Sequence, residues 1–175
     1  MRAISLQLTL KIPGLKVIRI GRTITGRNSS QLSDGAAAVV LMDGTLVSER
    51  NLQLLGVYRG IAIAGCKPHE IVIGPVFSIP KLLTRNGLKM EDIDLWELSK
   101  DFATQGTYCR GKLGIPMDRL NVNGSFIFIR HPIGMNGSHL VIQALMEGKH
   151  RDEKTAVITI SLGGGIGATG LFEVV

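Results

Sequence analysis

Cysteine and aromatic residues are scarce in this sequence of 175 residues. It contains two cysteines, Cys66 and Cys109, and only 5% of its residues are aromatic. The cysteines form no CxxC pair and have no histidine at ligand spacing, which excludes a structural zinc site and a disulfide framework and predicts no metal. Two thiols without such a pattern are typical of a reducing compartment, so we expect a cytoplasmic protein.

Long apolar runs and basic clusters are also missing. No stretch approaches the length of a membrane span, so the sequence predicts no membrane association. The formal net charge of +6 suits an anionic partner, either nucleic acid or a phosphorylated small molecule such as a nucleotide or coenzyme A. The basic residues are scattered and are not interleaved with aromatic ones, so we expect no nucleic-acid binding.

The composition that is present suits an α/β domain. Hydrophobic residues make up 45% of the chain, charged residues 19%, and there are 22 glycines. Apolar periodicity and turn residues predict helices over 45–55, 79–86, 102–113 and 134–147, and strands over 39–42, 57–64, 71–73, 93–98, 156–160 and 170–174. Glycines at 163–167 predict a terminal hairpin, which makes the sheet mixed rather than purely parallel.

Five motifs carry a family resemblance. They are Asn28-Ser29-Ser30-Gln31-Leu32-Ser33-Asp34-Gly35, Asp92-Ile93-Asp94-Leu95-Trp96-Glu97, Asn121-Val122-Asn123-Gly124, His131-Pro132-Ile133-Gly134 and Gly163-Gly164-Gly165 followed by Leu171-Phe172-Glu173. In this order and spacing they resemble the C-terminal half of a thiolase, and they are most similar to the degradative 3-ketoacyl-CoA thiolases of fatty-acid oxidation. The resemblance runs from about residue 20 to the end of the sequence.

The resemblance and the residue pattern together predict the architecture. We expect a thiolase-type half, with a mixed β-sheet and helices on both faces. Residues 1–30 are predicted to be an N-terminal arm with a remnant of the loop region, and residues 31–175 the thiolase C-terminal domain. Because two such halves pack together in an intact thiolase, we expect an exposed apolar face that a second copy or a separate N-terminal half would cover.

The resemblance implies two-step acyl transfer to and from coenzyme A through a cysteine of the N-terminal half. That half lies outside this sequence, and neither Cys66 nor Cys109 stands in a nucleophile motif. His131 matches the histidine that activates the nucleophile and stabilises a thioester oxyanion, as imidazole can near neutral pH. Without the nucleophile, His131 is either catalytic beside another chain or a vestige of the fold.

Substitutions at two further catalytic positions predict a weakened site. Ser161 stands where the family has an acid/base cysteine, and an alkyl hydroxyl is a far poorer base than a thiol. Ser99 replaces the asparagine that holds an oxyanion-hole water. Asp101 replaces a small apolar residue, where an unpartnered carboxylate would be costly. Arg130 replaces a glycine directly before the histidine, and it either reshapes the cavity or points to solvent.

Three residues are candidates for contact with coenzyme A or acyl-CoA. Ser30 matches a loop serine that touches the coenzyme A chain, although a serine there also suits a turn or a helix cap. The resemblance implies that Phe102 and Gly163 also contact the coenzyme A ligand. The glycines after Ser161 either present backbone N–H groups to an oxyanion or simply form the hairpin. No covalently bound cofactor is expected.

These residues predict a thiolase-like acyltransferase C-terminal domain that is inactive alone, because the half with the nucleophilic cysteine is absent and the acid/base cysteine is replaced by Ser161. Alternatively, the chain is a subunit of a split acyl-CoA acyltransferase whose partner brings the nucleophile, or a non-catalytic module that binds coenzyme A or a protein.

Overall fold

The computed structural model describes residues 24–175. Five α-helices and four strands follow one another along this part of the chain. In order they are α1 (Gly44–Glu49), β1 (Gly56–Gly65), α2 (Pro75–Asn86), β2 (Leu95–Leu98), α3 (Ala103–Leu113), α4 (Phe126–Ile129), α5 (Asn136–Arg151), β3 (Thr155–Leu162) and β4 (Ile166–Val174). Short 3₁₀ helices cover Pro68–Ile73, Met90–Asp92 and Ile133–Met135. Most of the N-terminal arm predicted over residues 1–30 lies outside the described residues.

The four strands form one mixed sheet in the order β1-β4-β3-β2. Strands β1 and β3 both pair with β4 in antiparallel register, while β2 pairs with β3 in parallel. The hairpin that joins β3 to β4 closes on the pair Leu162 and Ile166. The predicted mixed α/β sheet is therefore confirmed, with the terminal hairpin as its antiparallel part.

Helices cover both faces of this sheet, as expected. Alternate residues of a strand point to opposite faces, and the two buried clusters follow that alternation. Trp96 and Leu98 of β2 belong to a cluster with helices α2 and α3, whereas Leu95 belongs to a cluster with α4 and α5. The domain therefore has an apolar core on each side of one sheet, which holds the ends of β2 and β3 rigidly.

A buried hydroxyl ladder ties α2 to the sheet. Ser78 of α2 and Thr169 of β4 lie 2.6 Å apart between their hydroxyl oxygens, and the Thr169 hydroxyl donates to Thr159 Oγ1 of β3 at 2.8 Å. Thr159 in turn donates to the Ala168 carbonyl. Because buried hydroxyls are costly unless hydrogen-bonded, this ladder fixes the register of β3 just before Ser161.

The predicted helix ends at two glycines are confirmed. Helix α2 is capped at its C-terminus by Gly87 and α3 by Gly114, with φ of 65° and 71°. Glycine enters this left-handed region without the steric cost of a Cβ atom. These stops place the loop after α2 and the loop after α3 where the sequence predicted them.

Two predicted strands are wrong. Residues 39–42 form no strand, and Val40 and Leu41 are more than four-fifths exposed. Residues 71–73 belong to the 3₁₀ helix Pro68–Ile73 rather than to the sheet. A proline near the start of that helix fixes φ at a helical value, which outweighs the β-branched residues that follow.

The structure corrects the limits of three helices. The helix predicted over 79–86 begins at Pro75. The helix expected over 45–55 ends at Glu49. Gly148 does not end α5, which continues to Arg151 and is capped by Asp152 in a left-handed conformation. A Cβ atom at Gly148 would approach Val174 to 2.6 Å, so this glycine permits close packing between α5 and β4.

Two searches of residues 24–175 gave negative results. None of the helices there is both long and apolar enough to cross a membrane. Within the same range, no three histidine, cysteine, aspartate or glutamate side chains are grouped to hold a metal ion.

Candidate active site

Backbone hydrogen bonds bring the loop 28–32 against the segment after β2 and against His131. The Ser30 N–H donates to the Asp101 carbonyl at 2.7 Å, and the His131 N–H donates to the Gln31 carbonyl at 2.8 Å. Ser29 forms a bridge with Phe102. The structure therefore gathers Ser30, Phe102 and His131, three candidates that lie far apart in the sequence.

Gln105 connects the two serine candidates, Ser99 and Ser161. From the first turn of α3 its Nε2 donates to the Ser99 carbonyl and to Ser161 Oγ, both at 3.2 Å. The Ser161 hydroxyl donates to the Val72 carbonyl at 3.4 Å. Ser99 and Gln105 are both buried. Ser161 is thus held by an amide and a carbonyl, neither of which can take its proton as a base.

His131 is largely enclosed, with 16% of its side chain exposed. Its Nδ1 lies 3.3 Å from Asp101 Oδ1 and 2.9 Å from Asn136 Nδ2. The Phe126 ring is tilted against the imidazole, with 5.4 Å between ring centroids. Packing by Phe126 and polar contacts at Nδ1 therefore restrict the orientation of the ring.

The Asp101 carboxylate is not isolated, which was the costly arrangement considered from the sequence. Burial raises the pKa of this carboxyl group, while the nearby His131 acts to lower it. Its backbone N–H donates to Gln105 Oε1 at 3.2 Å. Asp101 therefore links the histidine to the Gln105 network and, through it, to Ser161.

Arg130 occupies a backbone conformation suited to glycine. Its φ is 75° and its ψ is 177°, a region that is sterically costly for any residue with a Cβ atom. The residue is exposed. Of the two expectations for Arg130, the structure favours a side chain at the surface rather than one that fills the cavity.

Neither thiol is prepared for nucleophilic attack. Cys109 is fully buried, and burial raises its pKa to about 12. Burial and the Glu70 charge raise the pKa of Cys66. Its Sγ lies 3.3 Å from the Gly165 carbonyl and 3.5 Å from the Glu70 carbonyl, either of which can accept the thiol proton. A thiolate is the reactive form, and these surroundings favour the neutral thiol at both positions.

The glycine turn after Ser161 holds the loop that contains Cys66. Gly165 has φ of 81°, and its carbonyl accepts the Cys66 N–H at 2.6 Å. A Cβ atom there would lie 2.4 Å from the Cys66 carbonyl oxygen. Gly163 is exposed, and a Cβ atom on it would meet nothing within 4 Å. Close packing therefore requires glycine at 165, whereas Gly163 lies at an open turn.

A buried carboxyl group lies on the same strand, just before Ser99. Glu97 is almost wholly buried and accepts a hydrogen bond from Asn121 Nδ2 at 3.3 Å. Burial raises its pKa to about 8, with the Lys100 charge opposing and the Glu147 charge adding to the shift. Glu97 is therefore largely a neutral acid below that pH.

Two residues of the site were not singled out from the sequence. Gln105 lies four residues after Asp101, in the first turn of α3, and its side chain reaches back to the Asp101 N–H just before the helix. Asn136 begins α5, five residues after His131. The spacing of Gln105 was a usable signal, whereas the contact between Asn136 and the imidazole depends on the 3₁₀ turn between them.

Comparison with known proteins identifies the family. The thiolase C-terminal domain family matches residues 52–174, so this chain belongs to the thiolase family. It is 44% identical over 151 residues to a 3-ketoacyl-CoA thiolase of Bacillus subtilis (strain 168), a match that covers 86% of this chain and 39% of that protein.

Solved thiolase structures share the fold. Human mitochondrial 3-ketoacyl-CoA thiolase in complex with CoA superposes with a TM-score of 0.87 at 32% identity, over 97% of this chain and 43% of that one. The dimeric peroxisomal thiolase of Saccharomyces cerevisiae gives a TM-score of 0.85 at 36% identity, over 99% of this chain and 42% of that one. The chain spans about two fifths of the length of these relatives.

Proposed function

We propose that this chain is an acyl-CoA-binding thiolase domain that has no thiolase turnover alone. In this proposal it contributes His131 and the loop around Ser30 to a nucleophilic cysteine on another polypeptide. The observation that carries the proposal is the state of the two thiols. Cys109 is sealed in the core, and the Cys66 thiol lies within hydrogen-bond distance of two carbonyls, so residues 24–175 offer no activated thiol nucleophile.

The contacts of Ser161 support inactivity in carbon–carbon bond chemistry. An acid/base group at that position must exchange a proton near neutral pH. The Ser161 hydroxyl instead donates to the Val72 carbonyl and accepts from Gln105. An alkyl alcohol in this setting has no adjacent base, so claisen-type proton transfer at a substrate α-carbon lacks its shuttle.

Coenzyme A is the ligand that best suits the assembled loop. The related human mitochondrial thiolase was solved with CoA bound, and this chain is basic overall, which favours a phosphorylated ligand. Ser30 and Phe102 are half-buried beside His131, where a thioester would have to lie for the imidazole to reach its oxygen. We assign these residues to the acyl-CoA side of the site.

Exposed apolar side chains support a protein partner. Val40, Leu41 and Phe128 are 84%, 83% and 78% exposed. Large apolar groups in water are costly, and association surfaces bury such groups. We propose that a separate N-terminal thiolase half covers them, with a second copy of this chain as the other candidate.

The direct test is thiolysis of acetoacetyl-CoA by the isolated chain and by Ser161→Cys. We expect no turnover from either protein, because the substitution restores an acid/base thiol but no nucleophile. Turnover by the unmodified chain would refute the proposed inactivity, and turnover by Ser161→Cys alone would show that a nucleophile exists within these residues. Calorimetric titration with CoA, using Ser30→Tyr as the blocked variant, measures binding separately.

A non-catalytic binding module is the second candidate. Arg130 in a strained conformation and Asp101 beside the histidine are departures from the family pattern that a binding role tolerates. CoA binding by the chain without acylation of any partner cysteine would favour this role.

A further inference from the structure

Asp101 places a buried carboxylate oxygen beside the imidazole of His131. Its Oδ1 lies 3.3 Å from His131 Nδ1, is shielded from solvent, and receives no hydrogen bond of ordinary geometry within residues 24–175. A buried acceptor of this kind is costly unless a donor serves it. His131 Nδ1 is close enough to be that donor when it carries a proton.

The backbone holds Asp101 firmly in this position. Its N–H donates to Gln105 Oε1 at 3.2 Å, and its carbonyl accepts the Ser30 N–H at 2.7 Å. His131 is fixed in turn by its own N–H, which donates to the Gln31 carbonyl. Both partners are therefore anchored by the main chain, so little conformational entropy is lost when the side chains interact.

Asn136 competes for the same ring nitrogen. Its Nδ2 lies 2.9 Å from His131 Nδ1, while its Oδ1 is buried without a donor. If Asn136 Nδ2 donates to His131 Nδ1, the imidazole proton must be on Nε2. In that arrangement Asp101 Oδ1 and Asn136 Oδ1 both lack a hydrogen-bond donor. If the Asn136 side-chain amide is rotated by 180°, its Oδ1 and Nδ2 exchange places. A proton on His131 Nδ1 can then be shared between Asp101 Oδ1 and Asn136 Oδ1.

We propose that Asp101 is a positioning residue that keeps the neutral imidazole of His131 protonated on Nδ1 and its lone pair on Nε2. A histidine that takes a proton from a nucleophile needs a free ring nitrogen, and the hydrogen bond at the other nitrogen decides which one is free. The catalytic meaning of this assignment rests on the proposed function. The tautomer itself does not.

The test is the nitrogen spectrum of the imidazoles in the ¹⁵N-labelled chain, at a pH where the exposed histidines are neutral. Long-range ¹H–¹⁵N correlations distinguish a protonated Nδ1 from a protonated Nε2. We expect the Nδ1–H form at His131, with the exposed His69 and His150 as internal references. Asp101→Ala should shift His131 to the Nε2–H form. An Nε2–H form in the unmodified chain, or no shift in Asp101→Ala, would overturn the proposal.

Asn136→Ala is the matched variant. It removes the competing amide and leaves Asp101 in place, so His131 should keep the Nδ1–H form. A change of tautomer in Asn136→Ala would assign control to Asn136 instead. If Asp101→Ala fails to fold, as judged by its amide spectrum, the unmodified chain and Asn136→Ala still decide between the two residues. These spectra need no acyl transfer, so inactivity of the chain does not affect them.

Discussion

Gln105 donates from Nε2 to Ser161 Oγ over 3.2 Å, while its Oε1 accepts the Asp101 N–H. One buried amide thus connects the position of the family's acid/base cysteine with the residue that contacts His131. The end of β3, the start of α3 and the histidine loop are therefore a single polar unit. A change in one member is expected to affect the others.

Replacement of Gln105 tests this unit. Gln105→Met keeps the approximate volume but leaves the Asp101 N–H and the Ser99 carbonyl without their partner. Because buried polar groups without partners cost about 1 to 3 kcal/mol each, we expect the free energy of unfolding to fall by about 3 kcal/mol in urea denaturation. Gln53→Met, at an exposed loop position, should change it by less than about 0.5 kcal/mol. Equal changes in the free energy of unfolding for the two variants would show that the Gln105 hydrogen bonds contribute nothing to stability.

Arg130→Gly should stabilise the protein. The present φ of 75° and ψ of 177° lie in a region that costs a residue with a Cβ atom about 1 to 3 kcal/mol. Glycine removes this strain and loses about 1 kcal/mol through its flexible unfolded state, so we expect a net gain of up to about 2 kcal/mol. Arg130→Ala keeps the Cβ atom and should give no gain. The urea midpoints of the two variants measure the difference, and an equal gain in both would exclude strain as the cause.

Glu97 makes stability depend on pH. Its pKa in the folded protein is about 8 against an ordinary value of 4.5, so the folded state retains a proton that the unfolded state has lost. The contribution of this retained proton to the free energy of unfolding is fully present below pH 4.5 and is lost as pH rises to about 8. At about 1.4 kcal/mol per pKa unit, the loss is at most about 5 kcal/mol.

Glu97→Gln is the corresponding variant. Its stability should not decline in this way. The unfolding free energy of Glu97→Gln minus that of the unmodified protein should therefore increase between pH 5 and about 9. Lys100, whose pKa is lowered by burial, acts in the opposite direction at higher pH and is present in both proteins. A difference that does not change with pH would contradict the raised pKa of Glu97.

Two cations cover the outer edge of β1. Lys81 Nζ donates to the Ile63 carbonyl at 2.8 Å, and an Arg85 Nη1 donates to the Ile61 carbonyl at 3.4 Å. An unprotected edge strand can pair with another chain. We expect Lys81→Ala/Arg85→Ala to self-associate at a several-fold lower concentration than the unmodified chain in analytical ultracentrifugation. Lys67→Ala/Lys112→Ala removes the same charge elsewhere and should not. Association of both variants to the same extent would indicate a general effect of charge.

The sequence predicted those parts of the fold that depend on local signals. Gly87 and Gly114 end helices as expected, because their left-handed conformation is a property of single residues. The segment 39–42 was misread, since an apolar run does not reveal whether another surface covers it. Gly148 was misread because its packing against Val174 is a long-range contact.

Part of the candidate site was also predictable from the sequence. Spacing and family resemblance pointed to His131, Ser161 and Ser30, which the folded chain places in one network of loops. The role of Asp101 was not predictable, because whether a buried carboxylate has a partner depends on the side chain across the cavity. Gln105 was missed although its spacing, four residues after Asp101, was a usable signal.

The central claim is that this chain supplies His131 to a cysteine carried by another polypeptide. The most direct measurement mixes the chain with the N-terminal part of the Bacillus subtilis relative that precedes the matched region, adds acetyl-CoA, and follows the acylation of the added cysteine by intact-protein mass spectrometry. In this step the cysteine takes the acetyl group and the CoA thiol leaves, so no proton is moved at the α-carbon and Ser161 is not needed. We predict acylation with the unmodified chain and its loss with His131→Ala. Complex formation with equal or absent acylation for both chains would contradict the account and leave this domain a binding module.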